Sequence, residues 1–547
     1  MIKLKCLLSL LLLIMGCNTT TITTQNNAYD LVVYGGTPAG VTAAIEAARS
    51  EKKVALLSFN GFVGGLSSGG LSATDLGHKK SIGGLSSDFY AHVGKVAFKP
   101  SQAEDQFLNM LNDAGVTVLY EQKLKDVSMR DERIVSVTTI DGNTYKGKIF
   151  IDATYEGDLL AAANVSYYVG RENRQAYNES LAGQWQTISW KNTYQFCNLP
   201  ISPYNNVNDP TSGLLPEILD EPFGKPGVGD YKVQAYNFRM FLSDKPDRVP
   251  FPKPAGYDKN RYDLLARFLN ADARLQWTLN YTTKPFTDGP VQLRVGDSNN
   301  AGSFSSDYVG GNYRWPDGTY VPGSYLTLPA PRRGLQMPFE ALYKVREDIF
   351  QDHINYQQGL MYFLANDTRV PETLRKRVNL FGLDPTEFIK TGHWPHQLYI
   401  REGRRMVSAY VMTQANCELQ TTVNDSVGLA SYSMDSHFCQ RVAKEIDGKM
   451  VVRNEGGFGK HLKQPYPVSY RSIIPKRNEC TNLLVPVCLS SSHVAYGSIR
   501  MEPVFMILGQ SAGAASVLAI DDGVCVQDVE YSKLKKVLLA GKQKLYN

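Results

Sequence analysis

No Cys-x-x-Cys pair occurs in the 547 residues, so an iron–sulfur cluster or a structural zinc site would lack its usual ligands. Nor does a basic tract stand out. The 58 Lys and Arg nearly balance 53 Asp and Glu, giving a net charge of +5, and nothing supports nucleic-acid binding. No long apolar run follows the N-terminal one, so the body of the chain is expected to be soluble. No internal repeat is visible. Cysteine is sparse: beyond the first 17 residues there are only Cys197, Cys417, Cys439, Cys480, Cys488 and Cys525. Their spacings name no disulfide pairing, and most are expected to be buried small residues. What is abundant is apolar content, at 43%, and glycine, at 46 residues. A chain of this length can bury a large core and is expected to form two structural domains.

The N-terminus reads as a targeting segment, with Lys3 and Lys5 before an apolar run from Cys6 to Met15. A run of about ten residues cannot span a bilayer, which takes roughly twenty. Ile14-Met15-Gly16-Cys17 resembles a bacterial lipobox. That resemblance implies lipid on Cys17, a leader over 1–17, a polar tether over 18–28, and an exported protein facing the periplasm or the outer membrane. An ordinary cleaved signal is the alternative.

From 29 to 165 short apolar strands alternate with helical stretches, which argues for a parallel sheet covered by helices. The candidate strands are Leu31–Tyr34, Val54–Leu57, Val116–Tyr120, Ile134–Thr139 and Lys148–Ile151. Between 166 and 400 the sequence becomes rich in Pro, Tyr and Asn with longer loops, as expected of an inserted recognition domain. From 401 to 547 regular patterns return, ending in a long helix from Pro503 to about Asp521.

The chemistry-bearing segments are spread over the whole length. Strand 31–34 runs into Gly35-Gly36-Thr37-Pro38-Ala39-Gly40 and a helix with small Ala43, Ala44, Ala47 and Ala48. Such a turn presents backbone N–H groups and a helix N-terminus to a pyrophosphate. Thr37 stands where a second glycine is usual, and Ser58 where an acid should hold the adenosine ribose. The loop Gly64-Gly65-Leu66-Ser67-Ser68-Gly69-Gly70 lets backbone approach phosphates or a flat ring. Asp152-Ala153-Thr154 ends a strand where doubly wound sheets bind ligands, although Asp152 could equally cap the helix that follows. Near the C-terminus, Glu502-Pro503 opens a helix carrying Gly509 and Gln510, whose N–H groups after Pro503 should be free to stabilise negative charge.

Residues 29–75, 148–158, 399–441 and 483–516 together resemble the FAD-dependent oxidoreductases of the glutathione-reductase-type flavin fold, in the branch with GGTPAG-type turns. The chain is also distantly similar to the flavin subunit of heterodisulfide reductase, whose iron–sulfur motifs have no counterpart here. The resemblance implies FAD as resident dinucleotide and an α/β architecture. Its three-layer FAD-binding domain would have a central parallel sheet, be discontinuous (29–165 and 401–547), and carry an inserted α+β substrate domain (166–400). Members of this branch commonly have Thr at the Thr37 position and Glu at the Ser58 position. Serine there should weaken FAD retention by about 1.5–3 kcal/mol, roughly ten- to a hundredfold.

A flavin enzyme that oxidises an alcohol needs a base for the hydroxyl proton and positive potential near the pyrimidine edge of the flavin. His493, Tyr496 and Arg500 precede the C-terminal helix, in what reads as a loop. His493 is the first candidate for base and Arg500 for an anion clamp, unless Arg500 simply pairs with Glu502. His437, with Asp435 nearby, is the second candidate. Arg401, Arg404 and Arg405 have the spacing of one helix face, suited to a carboxylate or else to a solvated or internally paired basic face. His393 and His396 read as loop residues lining a substrate pocket, and no metal is expected. The sequence thus points to hydride transfer from a small organic substrate, a sugar or sugar acid, to FAD, a family branch often found in polysaccharide-degrading systems. The rivals are a flavoprotein performing a non-redox elimination or isomerisation, and a non-catalytic glycan-binding lipoprotein. The electron acceptor is not legible.

Overall fold

The computed structural model describes residues 27–95, 97–184, 199–221, 224–271, 296–297, 306–314, 320–321, 325 and 339–546. The expected leader with Cys17, most of the expected tether, and Cys197 lie outside them.

The first strand, β1 (Ala28–Tyr34), is buried on both faces from Leu31 to Tyr34, which suits the centre of a parallel sheet. It runs into α1 (Pro38–Arg49) and pairs parallel with β2 (Val54–Leu57), Leu31 opposite Val54 and Tyr34 opposite Leu57. Beyond β2 lies β3 (Thr117–Leu119), also parallel. With β4 (Leu124–Arg130), β5 (Arg133–Thr139) and β6 (Thr144–Asp152), the order is β3-β2-β1-β6-β5-β4. The strand β6 joins two regimes. Its later part pairs parallel with β1, and its first residues pair antiparallel with β5.

Two sequence expectations are corrected here. Ile134–Thr139 belongs to an antiparallel meander rather than to the parallel sheet, and β4 was not foreseen. Only two residues separate β4 from β5, with Asp131 at φ +51°, and so short a connection can only make a hairpin. The two sheet faces carry different cores. Leu31, Val33, Ile149 and Ile151 pack under the helices, whereas Val32, Tyr34 and Phe150 pack with Leu124, Val127, Ile134 and Val137 of the meander.

The chain leaves this unit at Tyr167–Tyr168 and returns at Arg405–Met406, and these two segments pair antiparallel. The long helix α2 (Phe339–Asn366) of the intervening region is tied back by Arg346, which holds both oxygens of Asp158 at 2.6 and 2.7 Å.

Near the C-terminus β7 (Leu483–Leu484) joins the sheet beside β6. It is followed by α3 (His493–Ile499) and α4 (Glu502–Asp522). By length and composition α4 could cross a membrane, so the expectation of no second long apolar segment is corrected; most of it is buried in the core. It packs against α1 through its glycines. A Cβ on Gly509 would sit 2.2 Å from the Ala39 carbonyl oxygen, and one on Gly513 would sit 2.5 Å from that of Ala43. Thr42 Oγ1 donates to the Met506 carbonyl at 2.8 Å, fixing the register of the two helices. Cys417, Cys439, Cys480 and Cys488 are buried free thiols, and Cys525 is half-buried.

Replacing Gly509 with Ala drives a methyl group into that contact, and is expected to destabilise the fold by about 1–3 kcal/mol in denaturant unfolding. An unchanged unfolding midpoint would contradict the packing described.

Candidate functional site

The turn between β1 and α1 is built by its own side chains. Thr37 caps α1 by accepting the Gly40 N–H, and its hydroxyl donates to the Ala153 carbonyl at 2.7 Å, pinning the turn to the end of β6. Threonine in place of glycine is therefore a staple. Gly35 has φ +117°, and a Cβ on Gly40 would lie 1.9 Å from the Gly35 oxygen. Among the described residues no hydrogen bond engages the N–H groups of Gly36, Thr37 or Ala39. With Pro38 lacking a donor, these are the groups a helix start offers to a phosphate.

The glycine loop is stationed nearby, but its glycines serve a different purpose from the one expected. A Cβ on Gly64 would strike Phe107 at 2.4 Å, on Gly65 the Tyr155 hydroxyl at 2.3 Å, on Gly69 Gln397 at 2.2 Å, and on Gly70 the Arg239 carbonyl at 2.6 Å. They admit neighbouring protein, which presses the loop onto the site. Leu66 N–H donates to Tyr155 Oη, and Tyr155 in turn donates to Glu502 Oε1 at 2.8 Å. Ser68 closes the loop by donating to the Val63 carbonyl, while buried Ser67 faces the Tyr90 hydroxyl.

Several expected cofactor contacts are spent internally. Asp152 accepts from Thr154 N–H and Oγ1 and from Leu160 N–H, the capping alternative, and burial raises its pKa to about 6. Ser58 Oγ is buried and donates to the Phe62 carbonyl at 2.7 Å. Its proton is thus unavailable to a ribose. Gln510 links Leu85 N–H to Glu46, and Gly509 packs α4 on α1.

At the start of α4 the N–H groups of Val504 and Phe505 bond the Met501 carbonyl, so the expectation that they are free is corrected. The Glu502 N–H is engaged by no described residue. Glu502 Oε2 is buried without a partner, and desolvation pushes the carboxyl up to about 8. At neutral pH it is chiefly a protonated acid able to donate. Unengaged N–H groups at two helix starts, together with the orphaned Glu502 Oε2, form a donor set that fits a dinucleotide with a flat polar ring.

Beside the glycine loop lies a cluster of charge. The extended segment 233–243 exchanges backbone hydrogen bonds with Tyr308 and Tyr399, and so gathers residues far apart in the chain. His437 Nδ1 bonds Asp307 Oδ2 at 2.5 Å, and its Nε2 lies 3.5 Å from Asp435 Oδ2. Arg401 pairs with Asp307 at 2.8 Å, and Arg500 pairs with Asp435 at 3.0 Å while donating to Tyr399 Oη at 2.7 Å. Burial alone would raise both carboxyls, but Arg401 and His437 hold Asp307 below its ordinary range, and His437 and Arg500 do the same for Asp435. The His437 and Asp435 side chains keep 12% and 15% exposure, whereas Arg401 and Asp307 have none. The cluster therefore opens to solvent on the imidazole side.

Other candidates are relocated. His493, Tyr496 and Arg500 do not lie in a loop: His493 and Tyr496 sit on α3, capped by Ser492, and Arg500 ends it. His493 is buried, its Nδ1 against Glu402 at 2.9 Å and its Nε2 3.3 Å from Ser436 Oγ, which leaves no approach for a substrate. Tyr496 is core, its phenol pushed far up by burial. Arg401, Arg404 and Arg405 share no helix face: 401–404 is irregular, and the three guanidinium groups diverge to Asp307, Asp158, and the Glu402–Glu172 pair. The i, i+3, i+4 rule presupposes a helix, and 401–404 forms none; Gly403 instead lies so close to the Tyr155 carbonyl that a Cβ would not fit. His396 stacks on Phe62 with ring centroids 3.7 Å apart, and burial lowers its pKa to about 3. His393 lies half-buried nearby, bonded to the Glu387 carbonyl. Asp307, Arg239 and Tyr399 were not singled out from the sequence. Only Arg239 carried a signal, as a lone arginine within the apolar Phe238-Arg239-Met240-Phe241-Leu242.

A family model described as FAD dependent oxidoreductase matches residues 30–538. No curated protein matches. Solved structures that match include a thioredoxin reductase from Streptococcus pyogenes, 24% identical over 23% of this chain and 35% of that one, with a TM-score of 0.18. Another is THI4 of Thermovibrio ammonificans, 18% identical over 26% of this chain and 66% of that one, with a TM-score of 0.22. A third is a flavin-containing monooxygenase from Stenotrophomonas maltophilia, 17% identical over 28% of this chain and 44% of that one, with a TM-score of 0.20. The chain thus spans from about a third to two thirds of the length of these structures.

Because the folded protein holds the Glu502 proton to about pH 8 and an unfolded chain releases it near 4.5, this group's stabilisation is full below pH 4.5 and is lost as pH rises through 8. Glu502→Gln removes the titration. Measured by denaturant unfolding from pH 5 to 9, wild type should lose on the order of a few kcal/mol relative to the variant. Parallel pH profiles would contradict this.

Proposed function

The chain belongs to the FAD-dependent oxidoreductase family, matched over nearly its whole length, and from that premise we propose that it oxidises a carbinol of a small organic substrate, a sugar or sugar acid. Bound FAD supplies a hydride acceptor. The turn Gly35–Gly40, the loop Gly64–Gly70 and the start of α4 at Glu502 are the segments that would hold it, with Gly36, Thr37, Ala39 and Glu502 offering unengaged N–H groups.

The observation that carries the reading is the Asp307–His437 pair. Asp307 pairs with His437 Nδ1 at 2.5 Å, so that the imidazole in its neutral form keeps its lone pair on Nε2, on the more open side of the cluster. Nε2 is then the atom that takes the substrate hydroxyl proton. Asp435, 3.5 Å away, stabilises the resulting imidazolium, and Arg500 holds Asp435 in place. Buried His493 orders the Glu402–Arg405 network behind it. We infer also, from Lys3, Lys5, the apolar run and Cys17, that the protein is exported and lipid-anchored, which metabolic labelling with a fatty acid would detect.

Adding sugars and sugar acids anaerobically to the purified protein should bleach the flavin band lastingly with formation of a carbonyl product. Replacing His437 with Asn should leave the unreacted spectrum intact and lower kcat/KM by about 10²–10⁴-fold. An unchanged flavin band with an isomerised or eliminated product, or an unaffected His437→Asn variant, would overturn the proposal.

A further inference from the structure

Three arginines, Arg239, Arg401 and Arg500, crowd around Tyr399 in this cluster. Arg401 pairs with Asp307 and Arg500 with Asp435, and a third arginine, Arg239, stands close enough to act on Asp307 without an ion pair of its own among the described residues. Arg239 is only 4% exposed, its Nε is fully buried without a hydrogen bond, and among the described residues it has no ion pair. Its guanidinium carbon lies 5.4 Å from the ring centroid of Tyr399, on whose ring Arg401 also stacks at 4.6 Å. A stacked tyrosine ring offsets little of the cost of a desolvated charge. A guanidinium so placed is satisfied by an incoming anion.

We propose that Arg239 is the anchor for a carboxylate on the substrate, so that the site takes a small organic acid rather than a neutral sugar. Planar two-pronged donation suits a carboxylate, and the position suits the chemistry. The Arg239 backbone touches Gly70 of the glycine loop. Its side chain and His437 both border the Tyr399–Asp307–Arg401 cluster, so an acid held by Arg239 carries its neighbouring carbinol toward the imidazole. The identification of the anion as substrate rests on the oxidation proposed above; the anion site itself does not.

The test is thermal melting of the FAD-loaded protein with acetate, glycolate, D-gluconate and D-glucuronate, each beside its neutral counterpart: ethanol, ethylene glycol, sorbitol and D-glucose. At least one acid should raise the melting temperature at concentrations where its counterpart does not. Arg239→Gln should weaken that acid at least about tenfold, and Arg239→Lys should restore part of the loss. If Arg239→Gln fails to fold, Arg239→Lys alone decides, since a point charge without the fork should still bind more weakly than wild type. No stabilising acid, equal stabilisation by the neutral partner, or wild-type affinity in the variant that decides overturns the proposal. Arg239-dependent acid binding without flavin bleaching would remove the oxidation and leave the anchor. Bleaching by neutral sugars that Arg239→Gln leaves unchanged would do the reverse.

Discussion

The contact between α1 and α4 is the constraint on which the rest of the structure depends. Two helices lying more than 450 residues apart in the chain approach so closely that Gly509 and Gly513 have no room for a Cβ against the Ala39 and Ala43 carbonyls. Thr42 donating to Met506 sets their register. That closeness brings the start of α4 to the βα turn, and it carries α3 and the Arg500–Asp435 pair to the same end of the sheet. Small residues on both helices are thus as necessary to the site as any group that touches a ligand.

A second constraint is the amount of charge taken out of water. Asp158 is held by Arg346 and Arg404, Arg405 by Glu402 and Glu172, and Arg401 by Asp307. Such pairs roughly break even in stability, because desolvation offsets their attraction. Their effect is geometric. They lock the returning segment 401–406 and α2 onto the FAD-binding unit, and they orient His437. Against this background of contact ion pairs, Arg239 stands out as a buried arginine with none among the described residues.

The parallel core of the fold was legible because β1, β2 and β6 are short buried runs with glycine or acid at their ends, a pattern set by local chemistry. The turn at Gly35–Gly40 and the FAD reading were legible for the same reason. The Arg401–Arg405 spacing misled, since a helix was assumed where the backbone of 401–404 is irregular and each guanidinium enters a different buried ion pair. The two histidines differ in access because of burial: His493 lies against Glu402 with 1% exposure, and His437 keeps 12%. Asp307 could not be read at all. Its meaning comes from Arg401 and His437, and only the pairing of segment 233–243 with its neighbours brings them together. At Ser58 the missing acid was visible, but not that its hydroxyl proton is already donated to Phe62.

The account stands on one FAD site assembled from both ends of the chain despite that weak ribose position. The visible absorbance of the purified protein, before and after heat release of its ligand, tests this most directly. The account predicts a flavin band from bound FAD, or one acquired on incubation with FAD. A folded protein that is colourless and stays colourless with added FAD would contradict it.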